Sequence, residues 1–127
     1  MVTRLSYRGF TLIELLVVMA LIGMLLSLSV PRYFGNVDKA KESVLRQNLA
    51  QTRDAIDKYF GDNGRYPDSL DEIVVRRYLR KLPVDPITDR SDSWVIVAPE
   101  KKDMGAVFDV RSGAAGRARD GSEYASW

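Results

Sequence analysis

The sequence predicts an α+β fold: one long N-terminal helix, half transmembrane and half amphipathic, packed on a small head with a short helix and a two- to three-stranded antiparallel sheet. Three observations carry this. Phe10 to Val30 is apolar throughout, with Glu14 its one charged residue. Apolar residues then recur at steps of three and four as far as Phe60. Beyond Gly64, two short runs rich in valine and isoleucine follow a pair of closely spaced prolines. Helical periodicity giving way to strand-like runs in one chain is the pattern of helices set against an antiparallel sheet. The expected segments are 1–9 as a leader, 10–30 as the membrane half of the helix, 31–60 as its amphipathic half and 61–127 as the head.

Composition narrows the chemistry. Arg4 and Arg8 lie before the apolar run and account for the whole formal charge of +2, so the remainder of the 127-residue chain is neutral. A nucleic-acid partner needs a clustered basic face, which this balance does not supply. There is neither Cys nor His. That excludes disulfides, thiol nucleophiles, Cys/His zinc sites and histidine general bases. No enzyme is expected.

The apolar run of 21 residues makes roughly 32 Å of helix, enough to cross a bilayer core. A carboxylate inside it costs about 2.5–3.5 kcal/mol on insertion scales, so Glu14 needs a partner. A secretory signal peptide would have a shorter apolar stretch and a small-residue cleavage site, for which Ser27-Leu28-Ser29 is the candidate. An ordinary single-pass anchor explains the length but not Glu14.

Pro31 removes a backbone donor and crowds the preceding turn, which predicts a kink or local melting. Gly23 adds a second soft point. From Val37 the apolar stripe continues through Ala40, Val44, Leu45, Leu49, Thr52, Ile56, Tyr59 and Phe60, with Asp38, Lys41, Glu42, Arg46, Arg53 and Asp57 on other faces. Gly61 and Gly64 are expected to end the helix. Phe10 to Phe60 is then 51 residues, roughly 76 Å of helix.

In the head, Ser69-Leu70-Asp71-Glu72 reads as a capping box opening a short helix with Leu70, Ile73, Val74 and Tyr78 on its apolar side. Pro83 and Pro86 are expected to break that helix. Trp94–Ala98 and Ala106–Val110 read as strands joined by a hairpin over Pro99–Gly105, with a third strand near Tyr124.

Arg8-Gly9-Phe10-Thr11-Leu12-Ile13-Glu14 resembles the class III signal of type IV pilins and type II secretion pseudopilins, and Pro31 falls where that family often has proline. Tyr66-Pro67, Leu82-Pro83-Val84-Asp85-Pro86, Asp109-Val110-Arg111-Ser112-Gly113 and Asp120-Gly121 through Trp127 resemble the major, G-type pseudopilin of type II secretion. True adhesive pilins usually close a loop with a disulfide, so a chain without cysteine sides with the pseudopilins.

The resemblance implies a type IV pilin-like fold and a structural role in a pseudopilus that drives protein export. It implies cleavage between Gly9 and Phe10 by a prepilin peptidase, N-methylation of Phe10, and assembly through Glu14 and the Phe10 amine. Implied partners are further copies of the chain, minor pseudopilins, an inner-membrane assembly platform and the secretion ATPase complex. The implied location is the bacterial inner membrane, single-pass, with the head in the periplasm. A type IV pilus subunit, a DNA-uptake pseudopilin and an unassembled membrane-anchored binding module are the alternatives.

The resemblance also implies calcium in the loop ending at Trp127. Asp120 and Glu123, with Asp109 nearby, are the available carboxylates, against a usual demand for six to eight oxygens. Ala114-Ala115 stands where an acidic residue is expected, and Arg117 and Arg119 add repulsion. The other reading has Asp120 bonding its own turn while Tyr124 and Trp127 pack the segment down.

Overall fold

The computed structural model describes residues 3, 4 and 6–127; of the expected leader, residues 1, 2 and 5 lie outside the described residues. Two compact units are present, 1–37 and 38–127. Helix α1 (Leu12–Asn63) contributes to both. Among the described residues the remaining regular elements are helix α2 (Leu70–Val75), strand β1 (Val95–Val97), strand β2 (Asp109–Arg111) and single 3-10 turns at Lys102–Met104 and Tyr124–Ser126.

In the first unit, the 12–34 stretch of α1 leaves its large apolar side chains exposed, and none of its most apolar window is buried. In water such a surface is untenable; the length and composition are those of a helix able to cross a membrane. The helix runs through Pro31 without a break, so the predicted local melting does not occur. The missing proline N–H leaves the Ser27 carbonyl one intrahelical bond short.

The second unit has one core. Leu45, Leu49, Ala55 and Ile56 of α1 pack with Leu70, Ile73, Leu79, Trp94, Val107, Val110, Ala114, Ala118 and Tyr124. The predicted stripe holds from Leu45 through Tyr59, with Ala55 added between Thr52 and Ile56; Ala40 and Val44 remain exposed. Gly61 does not end α1, which continues to Asn63. Gly64 does, with φ +70° and its N–H on the Phe60 carbonyl.

Helix α2 stops at Val75, well before the prolines. Its end is a Schellman motif: Tyr78 N–H reaches the Ile73 carbonyl (2.9 Å) and Arg77 N–H the Val74 carbonyl (3.0 Å), with Arg77 left-handed at φ 63°. Half of the capping box forms as predicted, Ser69 Oγ accepting from Glu72 N–H at 3.3 Å. The Glu72 carboxylate reaches past Ser69 to the Asp68 N–H (2.8 Å) and accepts from the Tyr59 hydroxyl (2.6 Å), tying α2 to α1.

The sheet has two antiparallel strands among the described residues, in the register Val95↔Arg111, Ile96↔Val110, Val97↔Asp109. Ala106 and Val107 lie outside it because both donate their N–H groups to the Pro67 carbonyl (3.1 and 2.9 Å), and Phe108, whose N–H reaches the Val97 carbonyl at 2.9 Å, directly precedes β2. Tyr124 begins a 3-10 turn, so the expected third strand is absent there. Arg53, projecting from α1, braces the sheet by donating to Asp109 Oδ1 (2.8 Å) and the Val110 carbonyl (2.9 Å).

Candidate functional site: the start of α1

Gly9 and Phe10 precede the helix, whose first residue is Leu12. Thr11 caps it. Its Oγ1 accepts from the Glu14 N–H at 3.2 Å and its carbonyl accepts from Leu15 N–H at 3.1 Å. A threonine three residues before a glutamate is the capping-box spacing, a signal in Thr11-Leu12-Ile13-Glu14 that reading the stretch only as a processing motif passes over. The cap starts the helix just beyond the Gly9–Phe10 bond and leaves that bond in non-helical chain. A protease needs an extended, approachable segment, and a Cβ built on Gly9 meets nothing within 4 Å.

Glu14 sits in the first turn, where the helix dipole favours a negative charge. Arg8, Gly9, Phe10 and Glu14 line a shallow cleft of about 300 Å³. Among the described residues no cation lies within 4.0 Å of the Glu14 carboxylate. Phe10 is 80% exposed. The structure thus brings three of the predicted residues together, Gly9, Phe10 and Glu14, at one helix start. Pro31 is a separate feature of the same helix.

The predicted calcium ligands do not converge. Asp109 is held by Arg53 at 2.8 Å and by its own strand's Val110 N–H. Asp120 accepts from the Ser122 N–H at 2.9 Å and hydroxyl, and faces Arg46 at 3.4 Å. The two Ser122 bonds, then Arg46, hold the Asp120 carboxyl below the usual carboxylate range. Glu123 is 3.7 Å from Arg117. Ala114, where an acidic residue was expected, is buried in the core. Among the described residues no group of three acidic side chains could hold a metal. The residues present do not fit a calcium site.

Known proteins point the same way as the helix start. The prokaryotic N-terminal methylation motif matches residues 4–30. The type II secretion system core protein G of Klebsiella michiganensis is 36% identical over 99 aligned residues, covering 65% of this chain and 70% of the relative. That of Escherichia coli K12 is 33% identical over 108 residues, covering 72% of each. That of Vibrio cholerae is 28% identical over 135 residues, covering 94% of this chain and 90% of the relative. No solved structure matches. With a capped helix start, a methylation motif across it and relatives matched well into the head, the chain belongs to the type II secretion system core protein G family.

Proposed function

We infer that this chain is a structural subunit of a type II secretion pseudopilus. The leader 1–9 is removed between Gly9 and Phe10 by a prepilin peptidase, which methylates the new amine. Residues 10–30 hold the subunit in the bacterial inner membrane and 31–60 continue as the amphipathic part of α1. Residues 61–127 belong to a periplasmic head. Assembly joins copies of the chain with minor pseudopilins on an inner-membrane platform driven by the secretion ATPase. The chemistry of processing and ATP hydrolysis belongs to those partners.

The single observation that carries this reading is the Thr11 cap, which leaves Gly9–Phe10 outside the helix and Glu14 within its first turn. Cleavage creates a cation on Phe10. In a packed apolar bundle that cation needs a counter-charge, and the Glu14 carboxylate of an adjacent copy supplies it, each charge lowering the other's burial cost.

Mass spectrometry of the membrane form tests processing: N-methylated Phe10 is the expected first residue, and an intact Met1 overturns the reading. Glu14→Ala tests assembly. That variant is expected to be inserted and cleaved normally yet to lose most filament yield; undiminished filaments would sink the pairing.

A further inference from the structure

The segment 116–127 is a tight loop. Gly121 N–H closes a turn onto the Ala118 carbonyl (3.0 Å), Ala118 N–H returns to Ser122 (2.7 Å), and Gly121 is left-handed at φ 87°. Ala118 and Tyr124 join it to the core, with Trp127 half-buried against them, and the rest of the segment is exposed or half-buried. Two side chains one turn apart on α1 grip its polar part. Glu42 Oε1 accepts from the Arg119 N–H at 2.8 Å and from the Tyr124 hydroxyl at 3.1 Å. Arg46 lies 3.4 Å from Asp120 Oδ2, and its guanidinium carbon is 4.0 Å from the Trp127 ring centroid. That ring in turn donates Nε1–H to Ser122 Oγ at 2.8 Å and packs edge-on to Tyr124, centroids 5.3 Å apart.

The contacts close on themselves. Both Asp120 oxygens are engaged, Oδ1 by Ser122 and Oδ2 by Arg46. A divalent ion would have to displace a guanidinium, and among the described residues no group of three acidic side chains is gathered here to hold it. Arginine fits this position because its planar cation can meet a carboxylate with its edge and an aromatic ring with its face.

We propose that Glu42 and Arg46 form a clasp that fixes segment 116–127 on α1 without a divalent ion, the Arg46 guanidinium supplying the positive charge that Asp120 would otherwise take from a metal. The head of this pseudopilin is therefore indifferent to calcium supply, unlike one whose loop is folded by the ion. This inference does not depend on cleavage or filament assembly, because it concerns the fold of each subunit.

Trypsin reads the clasp directly, since Arg117 and Arg119 lie in the clasped segment. The full-length chain is digested in detergent micelles, with either calcium or EDTA present, and peptides are quantified by mass spectrometry. Wild-type cleavage at Arg117 is expected to be the same in both conditions. Arg46→Ala and Glu42→Ala are each expected to speed it about tenfold, again with no response to calcium. Cleavage at Arg53, in the body of α1, reports general unfolding, and only a rise at Arg117 relative to Arg53 counts for the clasp. Faster wild-type cleavage or a lowered Tm in EDTA overturns the proposal. So does an unchanged Arg117-to-Arg53 ratio in both variants.

Discussion

The Asp85 carboxylate and the Ser112 hydroxyl meet at 2.6 Å with both residues fully buried. Asp85 Oδ1 also accepts from Ile87 N–H at 2.8 Å, and Ser112 Oγ accepts from Ala114 N–H at 3.1 Å. One buried acid thereby fixes the loop after Pro83 and joins it to the chain leaving β2. Asp85→Ala removes the acceptor of the Ile87 N–H and of the Ser112 O–H and is expected to cost about 3 kcal/mol. Asp85→Asn, which keeps one acceptor, should cost about 1 kcal/mol. Chemical unfolding followed by Trp94 fluorescence measures both.

Two glycines admit no side chain. A Cβ on Gly113 would lie 1.9 Å from the Ser93 carbonyl oxygen, and one on Gly105 would lie 2.1 Å from that of Tyr66. Both obstacles are backbone, and Gly105 also has φ +105°. Gly105→Ala and Gly113→Ala are each expected to lose about 2–4 kcal/mol. Gly61, in open space within α1, provides the control. Gly61→Ala should gain about 0.5–1 kcal/mol. The sign of the change in Tm separates the two classes.

The link from α2 to α1 is acid-sensitive. The Tyr59 hydroxyl and then the Asp68 N–H hold the Glu72 carboxyl below its ordinary value. A carboxyl depressed in the folded state contributes stability above its unfolded pKa of about 4.3 and loses it as pH falls through the folded value. Stability should therefore decline on acidification below about pH 4.5, with a shallower decline in Glu72→Gln. Denaturant midpoints between pH 3 and pH 7 supply the comparison.

Helix start and processing are coupled through Thr11. Thr11→Ala removes the cap at a cost of about 1 kcal/mol and frees the first turn to shift towards Phe10. Slower leader removal is expected, with Thr11→Ser close to wild type. Pulse-chase electrophoresis of precursor and mature forms gives the rates, and equal rates would refute the coupling.

The parts whose cause is local could be read from the residues alone. An apolar run with one acid specifies a helix able to span a membrane and Ser69 starts α2, each through neighbours within a turn; the Thr11 cap is as local, and counting the helix from Phe10 overlooked it. The stripe from Leu45 to Tyr59 was equally legible, because burial on a helix repeats with its pitch. The rest depends on packing and on bonds that no local pattern announces. The end of α2 carries no glycine to announce it, Arg77 adopting the left-handed conformation because Tyr78 and Leu79 are drawn back onto the Ile73 carbonyl. The second strand is shortened because Pro67, distant in sequence, claims the N–H groups of Ala106 and Val107. Asp109, Asp120 and Glu123 read together as a metal cluster, yet each has a different arginine beside it, one on α1 for Asp109, another on α1 for Asp120 and Arg117 for Glu123. A carboxylate's partner is set by distance in space, and spacing along the chain does not fix that distance.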